Sequence, residues 1–392
     1  MHSVSEAINQ LVAGAKLAVG LESVTVTDSL GRILATDITA PIDVPPADNS
    51  AMDGYAFCYA EAAAMGFQLP LSQRIAAGSS PQPLEQNTVA RIFTGAEIPQ
   101  GADTVAMQEN CSEGGSRVDL DSEVKANANI RPKGQDIQAG QTILTAGTKV
   151  RAQEMGLLSS IGIKTIEVFE PLRVAIFSTG DELVEPGTAL QPGQIYNSNR
   201  AILTGLIQSL GMTVVDLGTV KDSPEATDAV LSKAAVMGDI VISAGGVSVG
   251  EEDYVKAAVA KAGELNFWKV AIKPGKPLAF GRVGDKPFIG LPGNPASVFV
   301  TFMILTRPFL LASQGVADVR PAFLKARAQF AKSGESREVY LRARLADGGV
   351  EIYPNQSSGV LASACWGDVF VRQQSGESIK VGDLIDVLPY SQ

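Results

Sequence analysis

The sequence predicts a multidomain α/β plus β protein: a three-layer α/β domain, a β-rich region ahead of it and a small C-terminal β barrel or sandwich. Three observations predict it. From Pro171, short β-rich runs alternate with helical patterns, the signature of βαβ units and a parallel sheet covered on both faces. From Leu21 to Phe169 the apolar runs are short and split by Gly, Pro, Asn and Asp, the texture of strands and hairpins. Near residue 318 that texture returns and fits a small barrel or sandwich.

The elements follow in order. Val4 to Val19 has apolar residues at helical spacing, with Ser3 or Ser5 as cap. Ser23-Val24-Thr25-Val26, Val89 to Phe93 and Thr104 to Met107 read as strands, and Gln153 to Ser160 as one short helix. Pro41, Pro45 and Pro46 mark a boundary near residue 40. Leu172 to Phe177 is the first strand of the α/β unit, followed by a helix capped by Asn199 and running to Leu210. Thr213 to Leu217 is the second strand. Ser223-Pro224-Glu225 opens another helix, because a cap followed by Pro at the first helical position is a start signal. Asp239 to Ser243 is the third strand, then a glycine loop and a helix from Glu252 to Ala262. Phe323 to Ala328, Val339 to Ala343 and Leu384 to Leu388 read as strands of the last domain, with a turn at Asp347-Gly348-Gly349.

Composition excludes several chemistries. Of the 392 residues only His2 is a histidine, so neither a Ser-His-Asp triad nor a His-rich metal site can be built. Cys58, Cys111 and Cys365 are far apart and odd in number, which argues against a disulfide framework and for a cytoplasmic protein. No apolar run reaches the roughly 18 residues that a membrane span needs, and the N-terminus lacks the basic-then-apolar pattern of a signal. The formal net charge of −10 argues against nucleic acid as a bulk partner. A local cationic loop can still hold a small anion, because distant charges are screened beyond about 8–10 Å. Carboxylates without imidazole or thiolate suit a hard cation such as magnesium.

Parallel α/β sheets bind ligands at the carboxyl ends of their strands. Ser243 to Gly250 is a glycine loop between a strand and a helix, and its amides suit an anion; Gly245, Gly246 and Ser248 are the candidates, with Asp253 in the next turn. A tight βα turn is the plain alternative. Thr179-Gly180-Asp181-Glu182 and Asp222 place acids at two further strand ends. Lys273 and Lys276 sit on a loop stiffened by Pro and Gly, suited to an oxyanion or simply solvated. Gly290 to Ser297, with Pro292, Asn294 and Pro295, enters an apolar helix whose free amides suit an anion. The stretch around Asp53, read alone, is a turn. Together these residues fit a phosphorylated small molecule plus a divalent cation, and phosphoryl or nucleotidyl chemistry.

The ordered set DNSAMDGYA at 48–56, TGAEIPQGADTVAMQE at 94–109, GQDI at 134–137, FSTGDEL at 177–183, GQIYNSNR at 193–200, ISAGGVSVGEEDY at 242–254, IKPGKP at 272–277 and GLPGNPAS at 290–297 resembles the molybdopterin molybdenumtransferase family, of the MoeA and gephyrin E-domain type. The resemblance implies four domains per chain: a molybdopterin-binding α/β domain of 1–20 and 171–317, a linking domain of 21–40 and 141–170, an insertion at 41–140 and a C-terminal barrel at 318–392. It implies a homodimer with an active site shared between subunits, and a reaction of adenylylated molybdopterin with molybdate that yields molybdenum cofactor and AMP with Mg2+ present. It implies catalytic roles for Asp53, Thr94, Asp136, Glu182, Asp222 and Asp253, substrate contacts from Lys273, Lys276, Pro292 and Pro295, and Asp53 acting across the dimer. Glu182 and Asp253 are the proposed magnesium ligands.

Two departures stand out: Asn197 where relatives often carry Asp, and Arg131-Pro132-Lys133 in place of a more uniformly basic run. Transient contact with the adenylyltransferase and with cofactor-accepting enzymes is expected, and contact with nucleic acid or membrane is not. The alternatives are a non-catalytic molybdopterin-binding scaffold and a molybdopterin adenylyltransferase.

Overall fold

The computed structural model describes residues 1–246 and 254–391. The α/β unit is built on a six-stranded sheet in the spatial order Thr213–Val220, Arg173–Thr179, Ile240–Ala244, Lys286–Leu291, Pro277–Val283, Gly263–Lys269. The first four strands are mutually parallel, and Pro277–Val283 runs antiparallel to both its neighbours. Ile240–Ala244 is buried at every position, as a strand covered on both faces must be. One face packs on Val4–Gly14, Ser198–Ser209 and the helix beginning at Pro295; the other packs on Pro224–Met237 and Tyr254–Ala262. The predicted three layers are therefore present, with Ser223 capping its helix as expected.

Local corrections have local causes. The first helix ends at Gly14 rather than Val19, and the chain then leaves extended, with the Ala18 amide donating to the Ser313 carbonyl. Its cap is Ser3, in a reciprocal box with Glu6. His2 is not a loose end: its amide donates to the Lys269 carbonyl and its carbonyl accepts from Ala271, which ties the N-terminus to the sheet region. The cap of Ser198–Ser209 is Asn197, two residues before the expected Asn199. Among the described residues, the helical run Pro295–Ser313 is long and apolar enough to cross a membrane by length and composition. The sequence reading finds no such span because Thr301, Thr306 and Arg307 interrupt the apolar run. Most of the helix is buried in the protein core.

Between the first helix and this sheet the chain makes two β-rich bodies. Leu21–Thr25 pairs antiparallel with Thr165–Phe169, and Ile38–Thr39 with Thr142–Leu144, around a core that includes Leu34, Val150, Leu158 and Val168. The chain between them forms a second six-stranded sheet with an apolar cluster on each side. Its Gly54–Phe57 strand lies between Val89–Ile92 and Thr104–Met107, and all four of its residues are buried.

At the C-terminus, Gly349–Ile352, Glu338–Ala346, Val369–Gln373, Leu384–Pro389 and Leu324–Arg327 follow one another by hydrogen bonding. A bridge between Ala328 and Val350 closes the ring, so the expected barrel forms and removes its own sheet edges. This barrel is not loosely tethered. Ile272–Lys273 adds a short parallel pairing to Glu338–Val339. Phe370 and Tyr390 pack on Phe299 of the apolar helix, with ring centroids 5.4 and 5.0 Å from it.

Candidate active site

The parallel strands deliver their loops to one edge of the sheet, and there a cleft of about 940 Å³ opens. Arg173–Thr179 leads to Gly180 and Glu182; Thr213–Val220 leads to Asp222; Ile240–Ala244 leads to Gly245 and Gly246; Lys286–Leu291 leads to Pro292, Asn294 and Pro295. Lys273 and Lys276 line the same cleft. Nine of the candidate residues thus meet although they span more than a hundred positions of sequence, because parallel strands joined by helices all end on the same side. Ser248 and Asp253 lie outside the described residues. Asp53, Thr94 and Asp136 do not line the cleft of a single chain.

Gly245 and Gly275 show why the wall needs glycine. Gly245 has φ +92°, and a Cβ there would sit 2.9 Å from the Thr179 carbonyl oxygen. Gly275, between the two lysines, has φ +102°, and a Cβ would sit 2.3 Å from Thr301 Cγ2. The lysine loop is thereby pressed against the helix that starts at Pro295. Two helix N-termini also border the cleft, through Asn197 to Asn199 and Asn294 to Ser297. Their partial positive charge adds to that of the lysines and favours an anionic ligand.

The opposite wall was not foreseen. Arg337 and the loop Gln356 to Gly359, all from the barrel, complete the cleft. The Arg337 guanidinium donates to the Ile272 carbonyl at 3.0 Å, and the Ala296 amide donates to the Ser358 carbonyl at 3.0 Å. Arg342, fully buried, holds this loop from behind: it donates to the Ser357 carbonyl at 3.0 Å and to Ser363 Oγ at 2.9 Å. Gln356 accepts from the Arg342 amide and donates back to its carbonyl. No local sequence signal marks these residues, since Arg337 precedes an ordinary strand and Gln356 to Gly359 reads as a plain turn.

Lys273 has a partner that the sequence does not mark: its Nζ donates to Glu335 Oε2 at 2.5 Å, and Lys332 donates to Glu335 Oε1 at 3.1 Å. The contact with Lys273 holds the Glu335 carboxyl below the usual carboxylate range, against its partial burial and with help from Lys332.

The acids differ from one another. Glu182 and Asp222 are exposed at the cleft. The Asp181 carboxylate accepts from the Asp222 amide at 3.1 Å, which ties the two acidic loops together. Two exposed carboxylates lining one cleft suit magnesium, which is held by one or two carboxylates and by substrate phosphates rather than by a protein cage. No cluster of three metal-ligating side chains occurs among the described residues. Asp53 accepts from the Thr94 amide and hydroxyl, both at 2.8 Å. Those two donors, the amide first, hold its carboxyl below the ordinary value, and Arg91 adds to the effect. Asp136 is exposed, with its amide donating to the Val44 carbonyl.

Asn197 is explained by its surroundings. Its Oδ1 accepts from the Arg200 amide as the helix cap, and its Nδ2 donates to Thr219 Oγ1 at 2.9 Å, which in turn donates to Glu185. The amide supplies the donor in that chain, which an Asp lacks. At the other departure, Lys133 pairs with Asp43 at 3.2 Å and its amide donates to Asp48.

Residues 2–162 match the MoeA N-terminal region (domain I and II), residues 175–312 a probable molybdopterin binding domain, and residues 324–390 the MoeA C-terminal region (domain IV). The chain is 40% identical over 347 residues to a molybdopterin molybdenumtransferase of Nostoc sp., covering 84% of this chain and 80% of that one. It is 40% identical over 321 residues to the molybdopterin molybdenumtransferase of Haemophilus influenzae, covering 80% and 78%. A crystal structure of the molybdopterin biosynthesis MoeA protein from Pyrococcus horikoshii superposes with a TM-score of 0.81 at 31% identity, over 100% of this chain and 99% of that one. With the whole fold, the sheet-edge cleft and all three regions in agreement, the chain belongs to the molybdopterin molybdenumtransferase (MoeA) family, transferases of molybdenum cofactor biosynthesis.

Proposed function

We propose that this chain inserts molybdate into adenylylated molybdopterin, giving molybdenum cofactor and AMP. The observation that carries the reading is one cleft lined both by acids, Glu182 and Asp222, and by cations, Lys273, Lys276 and Arg337. Molybdate carries two negative charges and does not approach an anionic pterin phosphate unaided. Lys276, Lys273 and Arg337, with the amides of the glycine loop, offset that repulsion and hold the oxyanion beside the bound pterin. The pterin's dithiolene sulfurs are soft ligands suited to a transition metal, so the protein's task is positioning. Glu182, with Asp253, would hold magnesium at the AMP-linked phosphates. Held there by Glu182 and Asp253, magnesium would screen phosphate charge and polarise the linkage to AMP.

Asp53, anchored by Thr94, enters this site from the second subunit of a homodimer, together with Asp136. A carboxylate held by two donors has a fixed direction before any ligand arrives, which suits a residue that completes another chain's cleft. The protein is placed in the cytoplasm, meeting the adenylyltransferase that supplies its substrate and the enzymes that accept its product only transiently, with no role for nucleic acid or membrane.

Mixing the protein with adenylylated molybdopterin, magnesium and molybdate tests the reaction. AMP is released only when molybdate is present. Adenylylation of molybdopterin from ATP would instead indicate the earlier enzyme, and tight pterin binding with no AMP release would indicate a scaffold.

A further inference from the structure

Among the described residues, Glu335 is the one acid whose carboxylate pairs with a cleft lysine. Its two oxygens are divided between two lysines, Oε2 to Lys273 at 2.5 Å and Oε1 to Lys332 at 3.1 Å. The lysines differ in outlook. Lys273 lines the cleft with 43% of its side-chain surface exposed, whereas Lys332 and Glu335 stand behind it at 24% and 25%. The backbones of all three are fixed. Lys273 is in register with Val339, Lys332 exchanges both backbone hydrogen bonds with Ile379, and the Glu335 carbonyl accepts from the Gly376 amide at 2.7 Å. Only side-chain rotation remains, and a lysine ammonium on its four-carbon stem has that freedom.

We propose that Glu335 is a built-in competitor for the substrate oxyanion: Lys273 leaves it to contact the bound anion, and Lys332 stays behind to keep the carboxylate paired. Each part of the arrangement has a physical purpose. A cleft lysine with no partner would attract phosphate and sulfate indiscriminately; a lysine already neutralised gives up its ion pair only for a ligand that makes a better one. Removing one partner from a partly buried pair normally strands the other charge, and the second lysine prevents that. The Lys273 contact already keeps Glu335 ionised well below neutral pH, so ligand charge, not pH, moves the lysine. Glu335 and Lys332 are therefore specificity-determining residues that never touch the substrate.

The proposal rests on the reading that Lys273 meets an oxyanion, and the test separates the two. Molybdate binding to the full-length protein is measured calorimetrically for wild type, Glu335→Gln, Lys332→Gln, Lys273→Gln and the Lys273→Gln/Glu335→Gln double variant, beside KM and kcat for molybdate-dependent AMP release. Glu335→Gln should tighten molybdate binding about three- to fivefold, as expected for loss of a half-exposed ion pair. Lys332→Gln should weaken it by a similar factor, because Glu335 then grips Lys273 alone. Both effects should fall on KM rather than kcat, and Glu335→Gln should have no effect once Lys273 is Gln. If Glu335→Gln and Lys332→Gln both weaken binding, or neither changes it, while Lys273→Gln weakens it, the competitor role is overturned and the anion site stands. If Lys273→Gln leaves molybdate affinity unchanged, the reading of Lys273 itself is overturned, and the proposal with it.

Discussion

The cleft and the Asp53 turn present their acids in opposite ways. Asp53 is held by two donors from Thr94 within its own domain, so its direction is settled before any ligand arrives. Glu182 stands exposed at a cleft gathered from loops of two domains, and among the described residues no side chain or amide donates to its carboxylate. The difference teaches that a carboxylate's role is set by its donors. A fully anchored acid is a finished part awaiting a counterpart, and an uncommitted one is a place for a cation or ligand. Lys273 repeats the lesson with the sign reversed, since its partner Glu335 keeps it occupied until something displaces it.

The largest expected effects break this comparison directly. Glu182→Ala and Asp53→Ala should each lower molybdate-dependent AMP release by on the order of 100-fold or more while circular dichroism and unfolding remain unchanged. Full activity in both variants would remove the proposed site. If the site is shared between subunits, refolding or co-expressing the two inactive variants together should restore about a quarter of wild-type activity, because half the dimers are mixed and each carries one intact site. No recovery from the mixture would place Asp53 and Glu182 in the same chain's site.

A smaller effect sharpens the account of the cleft's far wall. Arg342→Met fits the volume but leaves the Ser357 carbonyl and Ser363 hydroxyl without their buried donor, so the protein should lose about 2–3 kcal/mol of stability. Urea titration of the barrel's tryptophan signal from Trp366 measures it. KM for molybdate should rise as well, since the Gln356 to Gly359 loop loses its anchor.

The smallest effect concerns pH. The Glu335 carboxyl is held below its ordinary value by Lys273, so the ion pair's contribution is fully present above the ordinary carboxylate range and is lost as pH falls through the lowered value. Half-exposed, the pair contributes under about 1 kcal/mol. Wild type and Glu335→Gln should therefore differ slightly in urea stability at neutral pH, and the difference should vanish in acid. A gap that widened on acidification would contradict the pairing.

Much of the architecture was legible from local pattern. Alternating strand and helix signals in Leu172 to Ala262 dictated a parallel sheet, and a parallel sheet dictates that its loops share one edge. The nine described candidates in those loops, from Glu182 to Pro295, consequently meet. Boundaries were less legible where a cap competes with its neighbours, as Asn197 does with Asn199: both are good caps, and the one whose amide also reaches Thr219 starts the helix. The far wall was not legible at all. Arg337, Glu335 and the Gln356 loop lie more than sixty positions from Lys273, and nothing in their own neighbourhoods marks them.

By itself, then, the sequence determined the chemistry on offer and the side of the sheet that would offer it. With one histidine at position 2 and scattered cysteines, carboxylates, lysines, hydroxyls, tyrosines and main-chain amides remained for a site at the strand ends. Tertiary structure alone decided which partners those groups meet. Ile272–Lys273 pairs with Glu338–Val339 of the barrel, and that pairing carries Glu335 to one lysine and Arg337 to the cleft. The reason is physical: helix and strand periodicity are written in neighbouring residues, whereas docking depends on the shape and register of surfaces that exist only after each domain has folded.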